Sequence, residues 1–176
     1  MIRFFIEPGY DVNAPQREFG NAGVDFFIPN MTPTFKEAFE AKNKDGAEIF
    51  QTIEGEWCIC IKPHGDVNVP SGVRSFIPSN VALEAQNKSG VAAKHKLVYG
   101  AATVDANYQG IIHCHLINTS NREVIIPLGT KIVQFIPRII DTSDIEVVRD
   151  GNFDNFYKDF EFNNRGDGAF GSTGTK

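Results

Sequence analysis

The chain ends in Arg165-Gly-Asp-Gly-Ala-Phe-Gly-Ser-Thr-Gly-Thr-Lys176, residue types suited to holding a phosphorylated ligand. Glycines let successive backbone N–H groups turn toward one point and approach a phosphate closely. Arg165 can set its planar fork on phosphate oxygens, and Phe170 offers a flat face to a nucleobase. Gly171, Ser172 and Thr173 add a tight turn and two adjacent hydroxyls. The same composition also describes a solvated, flexible terminus, so its meaning depends on what lies upstream.

Four more clusters carry usable chemistry. Val104-Asp105-Ala-Asn-Tyr108-Gln-Gly110 sets a carboxylate, a candidate general base toward water, three residues before a ring that can pack on a sugar. By itself it reads as well as a turn built on Asp105 and Asn107. Asn87-Lys88-Ser89-Gly90-Val91 puts a hydroxyl–glycine turn beside a cation, and Gly129-Thr-Lys-Ile-Val-Gln134 brings a turn into a strand with a glutamine. Ala22-Gly23-Val24-Asp25-Phe26 lies near the start. Cys58 with Cys60, and His113 with His115, are two apart on predicted strands, so each pair faces one side of its sheet. A metal site from the four would require neighbouring strands; buried core cysteine is the commoner use.

The elements that must position these residues are mostly short strands. Arg3–Ile6, 57–61, 81–86, 111–118, 123–127 and 131–136 are rich in β-branched and aromatic residues. Turn signals separate them at Pro63-His-Gly-Asp66, Pro70-Ser-Gly72, Pro78-Ser-Asn80, Thr119-Ser-Asn121 and Pro127-Leu-Gly129. That rhythm predicts an all-β sandwich or barrel. One helix breaks it, capped by Thr34, running 35–42 with Phe35, Ala38, Phe39 and Lys42 on one face, and ended by Asp45-Gly46.

With 176 residues, 41% hydrophobic and 22% charged, the chain fits one soluble domain with a real core. A formal net charge of −5 argues against non-specific nucleic-acid binding, which needs a basic surface. No apolar run approaches the roughly 20 residues of a membrane span. Glu7 arrives before a secretory apolar segment can develop, and three cysteines suit a reducing compartment, so the expectation is cytoplasmic with no membrane partner.

Taken together, the five clusters resemble the motifs of the trimeric dUTPase family, in the family's order. Ala22 to Asp25 resembles the first and Lys88-Ser89-Gly90 the second. Val104-Asp105 through Tyr108 and Gly110 resembles the third, and Gly129 to Ile132 with Gln134 the fourth. Arg165-Gly166, Gly168 and Phe170-Gly-Ser-Thr-Gly174 resemble the fifth. Residues 69–78 are also similar to the family's strand–turn–strand before the second motif. Residues 31–57 lie outside the likeness and form an insertion, a surface elaboration or a docking site for a protein partner.

The resemblance implies a β jelly-roll (β-clip) with one short helical insertion, assembled as a homotrimer with active sites between subunits. It implies a single β domain over 1–160 and a Gly-rich arm, 161–176, that closes the site. The activity implied is Mg2+-dependent hydrolysis of dUTP to dUMP and pyrophosphate, the ion held mainly by the triphosphate and water. The uracil would be read by the backbone of about 99–104, including Gly100 and Val104. Tyr108 would pack on the deoxyribose, and Asp105 would deprotonate the water attacking the α-phosphorus. Lys88, Ser89, Gly90 and Gln134 would hold phosphate oxygens. The arm would bring Phe170 to the base, Arg165 to the terminal phosphate, and Gly171, Ser172 and Thr173 to the nucleotide. Asp25 would support the site without reacting.

Two positions depart from the family pattern. Lys88 stands where arginine is usual, keeping charge but losing the bidentate fork. Ala102 stands where glycine is frequent, which matters if the backbone there requires a positive φ. A related activity, dCTP deamination, uses a glutamate on the strand after the third motif. The matching position is His115, and 111–118 contains no glutamate. A non-catalytic dUTP-binding or structural jelly-roll trimer remains the alternative from another class.

Overall fold

The computed structural model describes residues 1–145 and Val147. The chain divides into a unit over Met1–Thr142 and a second over Ser143–Lys176. The proposed arm, with Arg165, Phe170, Gly171, Ser172 and Thr173, lies outside the described residues.

The first unit is a set of antiparallel strands. In chain order they are β1 (Arg3–Ile6), β2 (Val24–Phe27), β3 (Ala47–Gln51), β4 (Trp57–Ile61), β5 (Asp66–Pro70) and β6 (Val73–Phe76), then β7 (Val81–Asn87), β8 (Leu97–Tyr99), β9 (Thr103–Val104), β10 (His113–Asn118), β11 (Val124–Pro127) and β12 (Lys131–Ile139). Two helices interrupt them, α1 (Pro33–Lys42) and α2 (Ser89–His95). The sheets run β1–β6, β5–β10–β8, β11–β4–β3 and β2–β12–β7–β9. Early strands pair with late ones (β2 with β12, β4 with β11, β5 with β10), the long returns of a jelly-roll.

The sheets close over one core. Phe26, Phe35, Phe39, Phe135, Leu83, Leu97, Ile112 and Leu116 are almost fully buried. Phe26 meets Phe4 and Phe135 edge-on, with ring centroids 5.5 and 4.8 Å apart. Strand β10 alternates in the manner of a one-sided strand: Cys114, Leu116 and Asn118 are buried while His113, His115 and Ile117 are half-buried on the opposite face.

Helix α1 begins earlier than the sequence suggests. Thr32, not Thr34, is its cap, its hydroxyl accepting the Phe35 N–H at 3.1 Å. Pro33 occupies the first helical position, where its fixed φ fits and its missing N–H costs nothing. The helix ends at Asn43 rather than at Asp45-Gly46. Asn43 Nδ2 donates to the Phe39 and Asn68 carbonyls, and Asn43 Oδ1 accepts the Asn68 N–H, so one side chain imitates a strand neighbour for β5. With Phe35 and Phe39 in the core and β3 paired to β4, residues 33–51 are built into the fold.

Candidate functional site

The third-motif residues sit beside the crossing between two sheets. Strand β8 belongs to the sheet of β10 and β9 to the sheet of β7, so 100–102 bridges them. Gly100 N–H donates to the His115 carbonyl at 2.9 Å, and the Ala102 carbonyl accepts the Ala85 N–H at 2.7 Å. Ala102 does not adopt a positive φ, so alanine meets no backbone strain there. Asp105 follows β9 immediately, and the Tyr108 N–H closes a turn on the Asp105 carbonyl at 3.1 Å.

Tyr108 is held from both ends of its loop. Its hydroxyl donates to the Ile111 carbonyl at 2.9 Å, and a Cβ at Gly110 would run into that phenol, which explains the glycine. Arg74 donates to the Gln109 carbonyl at 2.7 Å while its Nε and Nη2 grip Glu7 at 2.6 and 3.2 Å. The Arg74 guanidinium in turn holds the Glu7 carboxyl below its usual range. Arg74 is a residue that sequence reasoning missed, because its partner lies far away in the chain.

A cavity of about 190 Å³ opens here, lined by Ala101, Ala102, Thr103, Val104, Asp105, Tyr108, Ile112, His113 and Phe135. Asp105 is exposed, and its carboxylate has no hydrogen-bond or ion-pair partner among the described residues. His113 Nδ1 lies 2.8 Å from the Ile111 carbonyl and must donate to it. Burial holds the His113 ring below its ordinary pKa, outweighing that hydrogen bond, with Lys42 pushing the same way as burial.

The second and fourth motifs meet at a separate cavity of about 540 Å³, lined by Asn87, Lys88, Ser89, Gly90, Val91, Lys94, His95, Lys131 and Gln134. Ser89 and Gly90, read from sequence as a turn, open the short helix α2. Lys88 makes no side-chain cap, so among the described residues no side chain caps the first-turn amides. Lys88 Nζ lies 2.6 Å from Asp25 Oδ1, and Lys131 Nζ lies 3.3 Å from Asp25 Oδ2. Gly23 leaves room for Gln134, whose Cγ would collide with any Cβ there. Lys131, Lys94 and His95 also went unnoticed in the sequence; the charge of Lys131 inside the fourth motif was the available signal.

The structure thus brings Lys88, Ser89, Gly90 and Gln134 together, with Asp25 beneath, and separately Val104, Asp105 and Tyr108 beside Gly100. The two cavities share no residue. Gln134 and Phe135, consecutive on β12, line one each, as alternation along a strand requires. The four-residue metal site is not formed: Cys58 and Cys60 are on β4 and the two histidines on β10, in different sheets. Among the described residues no group of three or more His, Cys, Asp or Glu side chains could hold a metal, and no helix is long and apolar enough to cross a membrane.

The dUTPase family model matches residues 57–174. The deoxyuridine 5'-triphosphate nucleotidohydrolase of Oryza sativa subsp. japonica is 30% identical over 66% of this chain and 63% of its own length. That of Maricaulis maris is 28% identical over 79% of this chain and 87% of its own. Among solved structures, a point-mutant dUTPase of Staphylococcus bacteriophage 80alpha with dUpNHpp superposes with a TM-score of 0.70, covering 99% of both chains at 17% identity. A mutant dUTPase of S. aureus phage phi11, described with a structural Mg(II) ion, gives 0.62 over 85% of this chain and 97% of its own at 16% identity.

Proposed function

The chain belongs to the dUTPase family, whose activity is dUTP hydrolysis, and on that premise we propose that it cleaves dUTP to dUMP and pyrophosphate by water attack on the α-phosphorus. The observation that carries this reading is the cavity where Asp105, its carboxylate unpartnered among the described residues, and Tyr108 flank the backbone of 101–104. Asp105 orients and deprotonates the water. Tyr108 supports the sugar, its ring locked by Gly110 and the Ile111 carbonyl, and crowds a 2′-hydroxyl. The Ala101 carbonyl and Ala102 N–H have no partner among the described residues, an acceptor and a donor that suit uracil and mismatch cytosine.

The phosphates are assigned to the second cavity, where Lys88, Ser89, Gly90 and Gln134 gather. Phosphoryl chemistry asks the protein mainly for positioning and charge neutralisation, which amides and lysines supply. Because Gln134 and Phe135 look into different cavities, one copy cannot wrap one nucleotide with both. A homotrimer with sites between copies resolves this, the base half from one subunit and the phosphate half from another. Arg165, Phe170, Gly171, Ser172 and Thr173 complete the site in this reading, on the strength of the motif alone.

Mg2+ is the expected cofactor. In this reading the ion would be carried mainly on triphosphate oxygens and water. Its contribution is to neutralise the triphosphate.

The test is pyrophosphate release from dUTP, dCTP, dTTP and UTP, each with Mg2+ and with a chelator. Release from dUTP alone, abolished by the chelator, is expected. Binding of dUTP without release from any nucleotide would replace the enzyme with a nucleotide-binding trimer.

A further inference from the structure

None of the five motifs includes His115, yet this residue holds two consecutive amides of the base-reading segment. Its carbonyl accepts the Gly100 N–H at 2.9 Å, and its ring Nδ1 accepts the Ala101 N–H at 3.0 Å. A Cβ at Gly100 would strike that same ring nitrogen, so the glycine is required by the histidine above it. On the other side of the ring, Nε2 lies 2.8 Å from Asp66 Oδ2 on β5.

These contacts fix the tautomer. A backbone N–H can only donate, so Nδ1 must present its lone pair, and the ring proton belongs on Nε2, where Asp66 accepts it. Asp66 and His115 sit on paired strands, while 100–102 must leave that sheet for the next. The imidazole is a strut between the sheet and the segment whose Ala101 and Ala102 wall the cavity with Asp105 and Tyr108. The Asp66 carboxylate is largely exposed, so the pair adds little to fold stability and its effect falls on the segment it orients.

We propose that His115, set by Asp66, is a positioning residue for base recognition, holding 100–102 in the geometry that accepts uracil. The proposal rests on the dUTPase reading for the identity of the base. It predicts a binding and selectivity defect rather than a chemical one. Losing one oriented hydrogen bond to the segment raises the dUTP Kd and KM about tenfold in His115→Ala, with kcat within about twofold. The preference for dUTP over dCTP shrinks with it.

The experiment measures dUTP and dCTP binding by titration calorimetry, with steady-state kinetics and thermal melting, on the full chain and on His115→Ala, His115→Asn and Asp66→Ala. Asparagine can place its Oδ1 where Nδ1 was, so His115→Asn returns Kd to within about threefold of the parent, while Asp66→Ala, leaving the tautomer unset, falls between parent and His115→Ala. Wild-type Kd and selectivity in His115→Ala overturn the proposal, as does a loss that asparagine rescues no better than alanine. Parent protein that binds dUTP without hydrolysing it defeats the catalytic reading alone, because the binding comparison still decides this one. Parent protein that binds neither nucleotide overturns both.

Discussion

Lys88 Nζ donates to Asp25 Oδ1 at 2.6 Å, and because Lys131 approaches the other oxygen at 3.3 Å, one buried carboxylate seats two cations at the wall of the second cavity. The lysine that replaces the family's arginine is therefore not a loose point charge. Asp25→Asn is expected to lower stability by about 1–3 kcal/mol and to raise the dUTP KM several-fold with a smaller effect on kcat. Thermal unfolding and steady-state kinetics on the same samples check this; an unchanged KM would mean the lysines hold their places unaided.

Asp105→Asn keeps the size and the turn of Asp105 but removes its basicity. Turnover should fall by about 10²–10⁴-fold while dUTP Kd stays within about threefold. Single-turnover kinetics with an independent binding measurement separates the two, and equal losses in both would assign Asp105 to binding.

Phe39 lies in the segment that has no counterpart in the motif pattern, yet it is 1% exposed and touches Phe35 in the core. Phe39→Ala should cost about 3–5 kcal/mol, as for a core aromatic. Denaturant unfolding checks it. A cost typical of surface positions would make 31–57 a detachable decoration.

Acid should destabilise the fold in two steps. His113 is held below its ordinary 6.5, chiefly by burial, so the unfolded chain binds its proton first and stability declines as pH falls below about 6.5 toward the lowered value. Glu7 is held below its ordinary 4.5, chiefly by the Arg74 hydrogen bond, so its contribution is whole above about 4.5 and vanishes as pH drops through the lowered value. Melting temperature against pH should show both, and Arg74→Gln should erase the lower step while sparing the upper.

What could be read from sequence was whatever is local. Strands 3–6 and 57–61 coincide with β1 and β4 because β-branched and aromatic runs there end at turn residues. Strand β2, Val-Asp-Phe-Phe, escaped because all four residues are buried and no alternation marks it. Helix α2 escaped for a different reason: seven residues, no side-chain cap and an ending on Lys96 at φ 57 leave little for periodicity to register. At the site, the motif residues were legible through order and spacing. Their supports were not. Arg74 with Glu7, Lys131 with Asp25, and His115 with Asp66 join residues far apart in the chain, and only the pairing of early strands with late ones makes them neighbours.

That Gln134 and Phe135 wall different cavities has a genetic corollary. Lesions in the two halves should complement. In the proposed trimer, with sites between copies, chains carrying Asp105→Asn and chains carrying Ser89→Ala, each expected to be inactive alone, should form some sites free of both lesions when unfolded and reassembled as mixtures, and those sites should recover activity. A change that displaces β12 as a whole, unlike one confined to Gln134 or to Phe135, has no such remedy, since the strand serves both halves at once. Mixed populations of this protein should accordingly tolerate lesions confined to one cavity better than a displaced twelfth strand.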